Sequence, residues 1–307
     1  MALPRPAGCL QHACITAPAA RWCDDRFVES ILPTAGDWDA SALAVAVVGP
    51  DGPLASSGDI GQSFRWASVT KLVTSLAVLR AVDDGTVALD EPAGPPGATV
   101  RHLLAHASGL GFEGPTPIGR PERTRIYSNT GFDLLGDLLA VRSGRPVADA
   151  LHAAVLEPLG MTGTTLAGRP SAGLVGPLSD LVALAVELLR PTLLTASTFA
   201  EATSVAFPGL AGVLPGVGRF DPLDWGLGFE IRDGKSPHWT GTRNSPRTFG
   251  HFGGSGSLLW VDPEADLALV GLTDRPFGPW SLEAWPTLSD AVLGRHARPT
   301  GKARPSA

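Results

Sequence analysis

A chain of 307 residues, 44% of them hydrophobic, can bury a large core as one domain or as two lobes. Its formal net charge of −6 comes without an extended basic patch, which argues against nucleic acid as the main partner, because phosphate binding needs clustered Lys and Arg. No run of 18 apolar residues occurs and no charged N-terminal stretch leads into an apolar one, so the expectation is a cytoplasmic protein that acts on small molecules, with no membrane partner.

All three cysteines, Cys9, Cys14 and Cys23, fall within the first 23 residues. An odd number without a secretory signal does not suggest a disulfide framework. With His12 they can be drawn as a zinc site, but their spacing matches no standard ligand pattern. Residues 1–23 are therefore read as a poorly ordered arm with reduced thiols and no metal.

Ala42–Val48 (ALAVAVV) is predicted as a buried strand, Gly49–Gly52 (GPDG) as a turn and Leu54–Gly58 as the returning strand of a hairpin. A helix apolar on all sides is predicted from about Ser68 to Val82, ended by the Asp83-Asp84-Gly85 signal. Glu91–Ala98 reads as a Pro/Gly linker, Val100–His106 as a short helix, and residues 111–122 (GFEGPTPIGRPE) as a long loop of the kind that shapes a cleft. Further helices are predicted over Thr130–Arg142, Val147–Leu156 and Leu178–Leu189, the last with Ser179 as its N-cap. From Asp224 onward, WGLGFEIR, RTFGHFG, GSLLWVD and DLALVGLT are short, glycine-punctuated and rich in β formers, which predicts an antiparallel sheet. Ser281–Leu293 predicts a closing helix, and residues 295–307 a solvated basic tail. The whole pattern predicts an α+β protein. One antiparallel sheet is assembled from N- and C-terminal segments (24–67 and 222–294) and flanked by helices, and a mainly helical lobe (68–221) is inserted beside a cleft.

Three stretches carry candidate chemistry. Ser68 stands three residues before Lys71 on the first turn of a predicted helix, so both side chains leave the same face. The chain has three lysines, Lys71, Lys235 and Lys302, against 21 arginines, and Lys71 sits among Val69, Leu72 and Val73. Arginine stays protonated, whereas desolvation lowers a lysine pKa until the amine accepts a proton or poises a neighbouring hydroxyl. In isolation the same pair reads as an N-cap and a snorkelling lysine. The second stretch is Tyr127-Ser128-Asn129, which holds the only tyrosine and one of two asparagines. A phenol can exchange a proton and an amide can orient both a lysine and a substrate carbonyl, although Asn129 also suits the N-cap of the following helix. The third is His251-Phe252-Gly253-Gly254-Ser255-Gly256, whose glycines at a strand edge let a backbone N–H approach an oxyanion, or simply make a turn or bulge.

In that order, FRWASVTK (Phe64–Lys71), YSNTG (Tyr127–Gly131) and GHFGGSG (Gly250–Gly256) resemble the active-site elements of serine β-lactamase-like proteins, a group that includes class C β-lactamases, penicillin-binding D,D-peptidases and related esterases. VRHLLAHASGL (Val100–Leu110) and LLWVDPEADLALVGLTDR (Leu258–Arg275) are similar as well, and the likeness runs from about Ala42 to Arg275. The resemblance implies a β-lactamase/transpeptidase-like fold in a single domain over residues 24–294. It also implies a serine hydrolase that acts through an acyl-enzyme, without a cofactor, on an ester, an amide or a β-lactam. Carried onto this sequence, Ser68 is the nucleophile, Lys71 its activating partner and Tyr127 the proton shuttle. Asn129 contacts a substrate amide or Lys71, and the N–H groups of Ser68 and Gly254 form the oxyanion hole. Where the family usually has Lys-Thr-Gly, this chain has His251-Phe252-Gly253. A histidine with the ordinary pKa of about 6.5 is mostly neutral at pH 7 and Phe252 offers no hydrogen bond, which weakens capture of a substrate carboxylate and favours an esterase over a β-lactamase. The competing reading is a binding or sensing protein on the same scaffold, against which the complete SVTK and YSN motifs argue. His102 and His106 have the i, i+4 spacing of helical zinc ligands, but HLLAH lacks the glutamate of a metalloprotease motif and both are read as structural.

Overall fold

The computed structural model describes residues 31–296, so Cys9, Cys14 and Cys23 with their arm, and nearly all of the basic tail, lie outside the described residues. In chain order the elements are β1 (Leu43–Gly49), β2 (Gly52–Gly58), β3 (Ser63–Arg65), α1 (Thr70–Asp83), α2 (Val100–Leu104), β4 (Arg125–Ile126), α3 (Asn129–Ser143), α4 (Val147–Leu151), β5 (Thr165–Leu166) and β6 (Leu174–Pro177). They continue with α5 (Leu178–Leu189), α6 (Ala196–Ala202), β7 (Gly212–Leu214), β8 (Gly218–Phe220), β9 (Glu230–Ile231), β10 (Phe249–Gly253), β11 (Ser257–Asp262), β12 (Leu267–Thr273) and α7 (Ser281–His296).

The main sheet has six strands in the order β2-β1-β12-β11-β10-β9, every pair antiparallel. Leu43 faces Thr273 and Ala44 faces Leu272, so the first hairpin docks on the last strand. Alternation along β1 sends Ala44, Ala46 and Val48 into one buried layer and Leu43, Val45 and Val47 into the other. The first layer is completed by α1 and α5, through residues such as Leu72, Leu76, Leu181 and Leu184. The second is covered by α7, whose Trp285, Leu288 and Val292 pack on the sheet while Trp260 donates its indole N–H to Ser289 Oγ at 3.0 Å. Each such side chain contributes about 1.5–3 kcal/mol on leaving water. Helix α5, from the helical middle of the chain, lies on β1, β11 and β12, whereas α1 to α4 pack on one another beside the sheet. Among the described residues no helix is long and apolar enough to cross a membrane.

Some local expectations are corrected. Ser179 is not the cap of α5: Pro177 holds the N-cap position, and the Ser179 N–H donates to the Ile60 carbonyl at 3.0 Å. The helix expected over Val147–Leu156 narrows to α4 and then widens into a π turn over His152–Leu156. WGLGFEIR yields only the two-residue β9, because Gly228 holds a φ of +95° and Gly226 donates to the Phe229 carbonyl, closing a tight turn. Two three-stranded sheets, β3-β6-β5 and β4-β7-β8, have no counterpart in the sequence reading.

Candidate active site

Ser68 lies in a single 3-10 turn, Ala67–Val69, between β3 and α1. The preceding Ala67 holds a φ of +44°, a left-handed conformation that costs a non-glycine residue about 1–3 kcal/mol and persists only where packing imposes it. Trp66 supplies that packing. It is fully buried, donates its backbone N–H to the Leu174 carbonyl at 2.9 Å and its indole N–H to the Gly176 carbonyl at 3.1 Å, and accepts from Ser257 Oγ at 2.6 Å. β10 closes on the same turn at Gly253, where a Cβ would lie 2.5 Å from the Trp66 carbonyl oxygen and 3.0 Å from Ala67 Cβ.

One helical turn on, Lys71 is completely buried and its Nζ lies 3.2 Å from Ser68 Oγ. It donates to Asn129 Oδ1 at 2.6 Å and to the Ser171 carbonyl at 2.8 Å. Burial pulls the amine down to about 7, opposed by the charges of Asp133 and Glu113. A neutral amine has two N–H bonds and one lone pair, and the two carbonyl oxygens occupy both N–H bonds, so the lone pair is left for the Ser68 hydroxyl.

Tyr127 follows β4 and is also buried; its ring centroid is 4.8 Å from Lys71 Nζ. Burial raises its phenol above the usual value, with the Ser68 hydroxyl acting the other way, so it stays protonated at neutral pH. Its hydroxyl is 3.3 Å from His251 Nε2, and His251 Nδ1 is 2.6 Å from the Phe252 carbonyl. Since a carbonyl only accepts, Nδ1 carries the histidine proton and Nε2 accepts from the phenol. Burial, and then the Lys71 charge, lower His251 to about 3, with the Phe252 carbonyl and Glu230 opposing. His251 is therefore neutral, as its sequence implied, but its ring is engaged with Tyr127. Beneath the phenol lies His106, whose Nδ1 accepts from the Ser128 N–H at 3.1 Å and whose ring packs 4.5 Å from Tyr127 and 4.8 Å from Trp225, centroid to centroid.

Asn129 does not cap α3; Ser128 does, accepting from the Gly131 N–H at 3.0 Å, which frees the Asn129 amide to face Lys71. The Asn129 Nδ2 donates to Glu113 Oε1 at 2.8 Å, from the loop predicted to shape the cleft. A cavity of about 240 Å³ opens on Ser68, bordered by Tyr127, His251 and Gly254 on its polar side and by Phe112, Leu214, Phe252 and Phe277 elsewhere. A larger hollow of about 620 Å³ lies between residues 31–38 and α7, away from Ser68, and is lined by Asp37, Trp38, Arg275, Trp280 and Glu283 among others. The two histidines weighed as zinc ligands diverge. His102 contacts Thr99 Oγ1 at 2.8 Å and Glu122 Oε1 at 2.9 Å, away from the Ser128 contact of His106.

Residues 39–293 match the family model described as Beta-lactamase. The chain belongs to the beta-lactamase family. Curated proteins that resemble it include D-alanyl-D-alanine-carboxypeptidase/endopeptidase AmpH of Escherichia coli (strain K12), 33% identical in an alignment 143 residues long that covers 34% of this chain and 37% of that protein. Esterase EstB of Burkholderia gladioli is 31% identical in an alignment 144 residues long that covers 32% of this chain and 37% of that protein. The chain thus spans little more than a third of the length of these curated relatives. Among solved structures, a beta-lactamase from Mycobacterium bovis superposes with a TM-score of 0.84 at 53% identity, covering 86% of this chain and 98% of that one. EstCE1, a hydrolase with promiscuous acyltransferase activity, shares the fold at a TM-score of 0.71 and 19% identity, over 87% of this chain and 97% of that one.

Within this beta-lactamase-family scaffold the structure brings Ser68, Lys71, Tyr127, Asn129, His251, Gly253 and Gly254 to one cleft. The sequence reading passed over Ser171, Glu113 and Phe277. Ser171 acts through a backbone carbonyl, which leaves no mark on residue identity. Glu113 was legible only as part of a polar loop. His106 was noticed, but as a structural residue rather than as the support beneath Tyr127.

Proposed function

We propose that this member of the beta-lactamase family is a serine hydrolase that works through an acyl-enzyme on an ester or an amide, with esters favoured. The observation that carries the reading is the buried Lys71, whose Nζ lies 3.2 Å from Ser68 Oγ and donates to Asn129 Oδ1 and the Ser171 carbonyl, so that in its neutral form the lone pair is left for Ser68. In the forward step Ser68 Oγ bonds to the substrate carbonyl carbon while Lys71 takes the hydroxyl proton. The oxyanion is held by the N–H groups of Ser68 and Gly254. Tyr127 turns from His251, gives its proton to the leaving oxygen or nitrogen as the bond to carbon breaks, and regains a proton from Lys71. Water then repeats the sequence and releases the acid. Preference for esters over carboxylate-bearing β-lactams is supported by a neutral His251, which offers no cation to a carboxylate, and by the apolar Phe252.

Labelling with a fluorophosphonate, read by mass spectrometry, is expected to place one adduct on Ser68, absent in Ser68→Ala. A short-chain nitrophenyl ester should turn over faster than a chromogenic cephalosporin or a D-amino-acid amide. Folded, active protein without an adduct on Ser68 sinks the proposal. Ligand binding without turnover, unaffected by Ser68→Ala, would make the chain a binding protein instead.

A further inference from the structure

The cleft beyond Ser68 is walled by Phe112, Leu214, Pro215, Gly216, Phe252 and Phe277, with no charged side chain among the residues that line it. Two features give this wall a fixed shape. Gly216, in the turn between β7 and β8, holds a φ of +74°, and a Cβ there would lie 2.5 Å from Phe277 Cε1, so the Phe277 ring sits in the space a side chain would fill. Behind it the ring packs 4.6 Å from Phe252 and 5.4 Å from Trp285, centroid to centroid. The Phe277 N–H also donates to the Gly254 carbonyl at 3.1 Å, which ties the ring to the strand end beside Ser68. The ring is thus clamped from three sides, at a set distance from the reaction centre. The space it leaves, about 240 Å³, compares with the roughly 150 Å³ of a dry cavity that takes up benzene.

We propose that Phe277, seated against Gly216, is the specificity-determining wall of an uncharged subsite that admits a short apolar group of a neutral ester, on the order of two to six carbons. The inference rests on the reading of Ser68 as the nucleophile. It concerns which substrates reach Ser68, not how Ser68 reacts.

The test uses alkyl fluorophosphonates bearing methyl, butyl, octyl or dodecyl chains. The second-order rate of adduct formation on Ser68 is measured by intact mass for the full chain, for Phe277→Ala and, because a large truncation can unfold a protein, for the milder Phe277→Leu. In the parent protein the butyl probe is expected to react at least about 10-fold faster than the octyl probe, the scale on which apolar pockets discriminate chain length. Both variants should shift the octyl-to-butyl rate ratio upward, Phe277→Ala by about 10-fold or more. The same ratio in parent and folded variants overturns this inference alone. No adduct with any chain length overturns the reading of Ser68, and this inference with it. Nitrophenyl acyl esters and alkyl acetates of matching length then show whether the subsite holds the acyl or the alcohol portion.

Discussion

At Lys71 the protein surrounds an amine with apolar packing and two carbonyl oxygens, and a measurable acid limb follows. On the proposed function the competent form is the neutral amine, and burial brings the Lys71 pKa from the ordinary 10.5 down to about 7. The ester kcat/KM should therefore rise with pH up to about 7 and level off above it, as the pH–rate profile of the free enzyme reports its essential base. A limb centred above pH 9 would remove Lys71 from that role. Lys71→Arg, which cannot give up its proton, should lower kcat by about 10²–10⁴-fold with the fold retained. The contrast with Lys235 sharpens the point. Lys235 is also buried, yet its ammonium pairs with the Glu230 carboxylate at 2.8 Å, and Glu230 also meets His238 Nε2 at 3.1 Å. The scarcity of lysine in the sequence thus marks two buried lysines, and only their partners separate the proposed base from a structural ion pair.

Where elements meet, glycine decides how closely β10 approaches the Ser68 turn. Gly253→Ala would drive a methyl group to 2.5 Å from the Trp66 carbonyl, a backbone atom that cannot swing aside. We expect a loss of about 1–3 kcal/mol in urea unfolding, the usual cost of overpacking. The neighbouring Gly254→Ala, whose Cβ meets nothing within 4 Å, should stay within about 0.5 kcal/mol of the parent. Equal losses at the two positions would contradict the close contact. The same scale shows what a sequence can reveal. α1, α3, α5 and β10 to β12 were legible because each is long enough for a period, or for an apolar run, to stand out. β4 to β8 have two to four residues each, too short for a period to show, and β4 finds its partner β7 only far along the chain, where Arg125 faces Gly212. The candidate site was legible where side-chain identity suggests chemistry, at Ser68, Lys71 and Tyr127. It was hidden where shape or a carbonyl carries it, at Ser171 and Phe277.

For the molecule as a whole, the buried histidines tie stability to pH. His251 titrates near 3 when folded, and burial holds His106 well below its ordinary value, whereas in the unfolded chain both titrate near about 6.5. As pH falls from about 6.5 toward 3, the unfolded chain binds protons that the folded chain refuses, so stability declines across that window. The urea midpoint should be lower at pH 5 than at pH 7.5, and His251→Gln should flatten the difference; coincident midpoints would show that these rings are not held neutral. The sheet order has a further consequence, for synthesis. β1 is apolar on both faces, and the chain just before it is pinned by Asp274 Oδ1, which accepts from the Ser41 N–H across 233 residues of sequence. At a translation rate of about 5–20 residues per second, β1 waits roughly 10–50 s for β12 to emerge, with one edge open to other chains. Ser68 and Lys71 wait with it. A ribosome-bound fragment ending before Leu267 should therefore carry both Ser68 and Lys71 yet remain inert, and should aggregate when released.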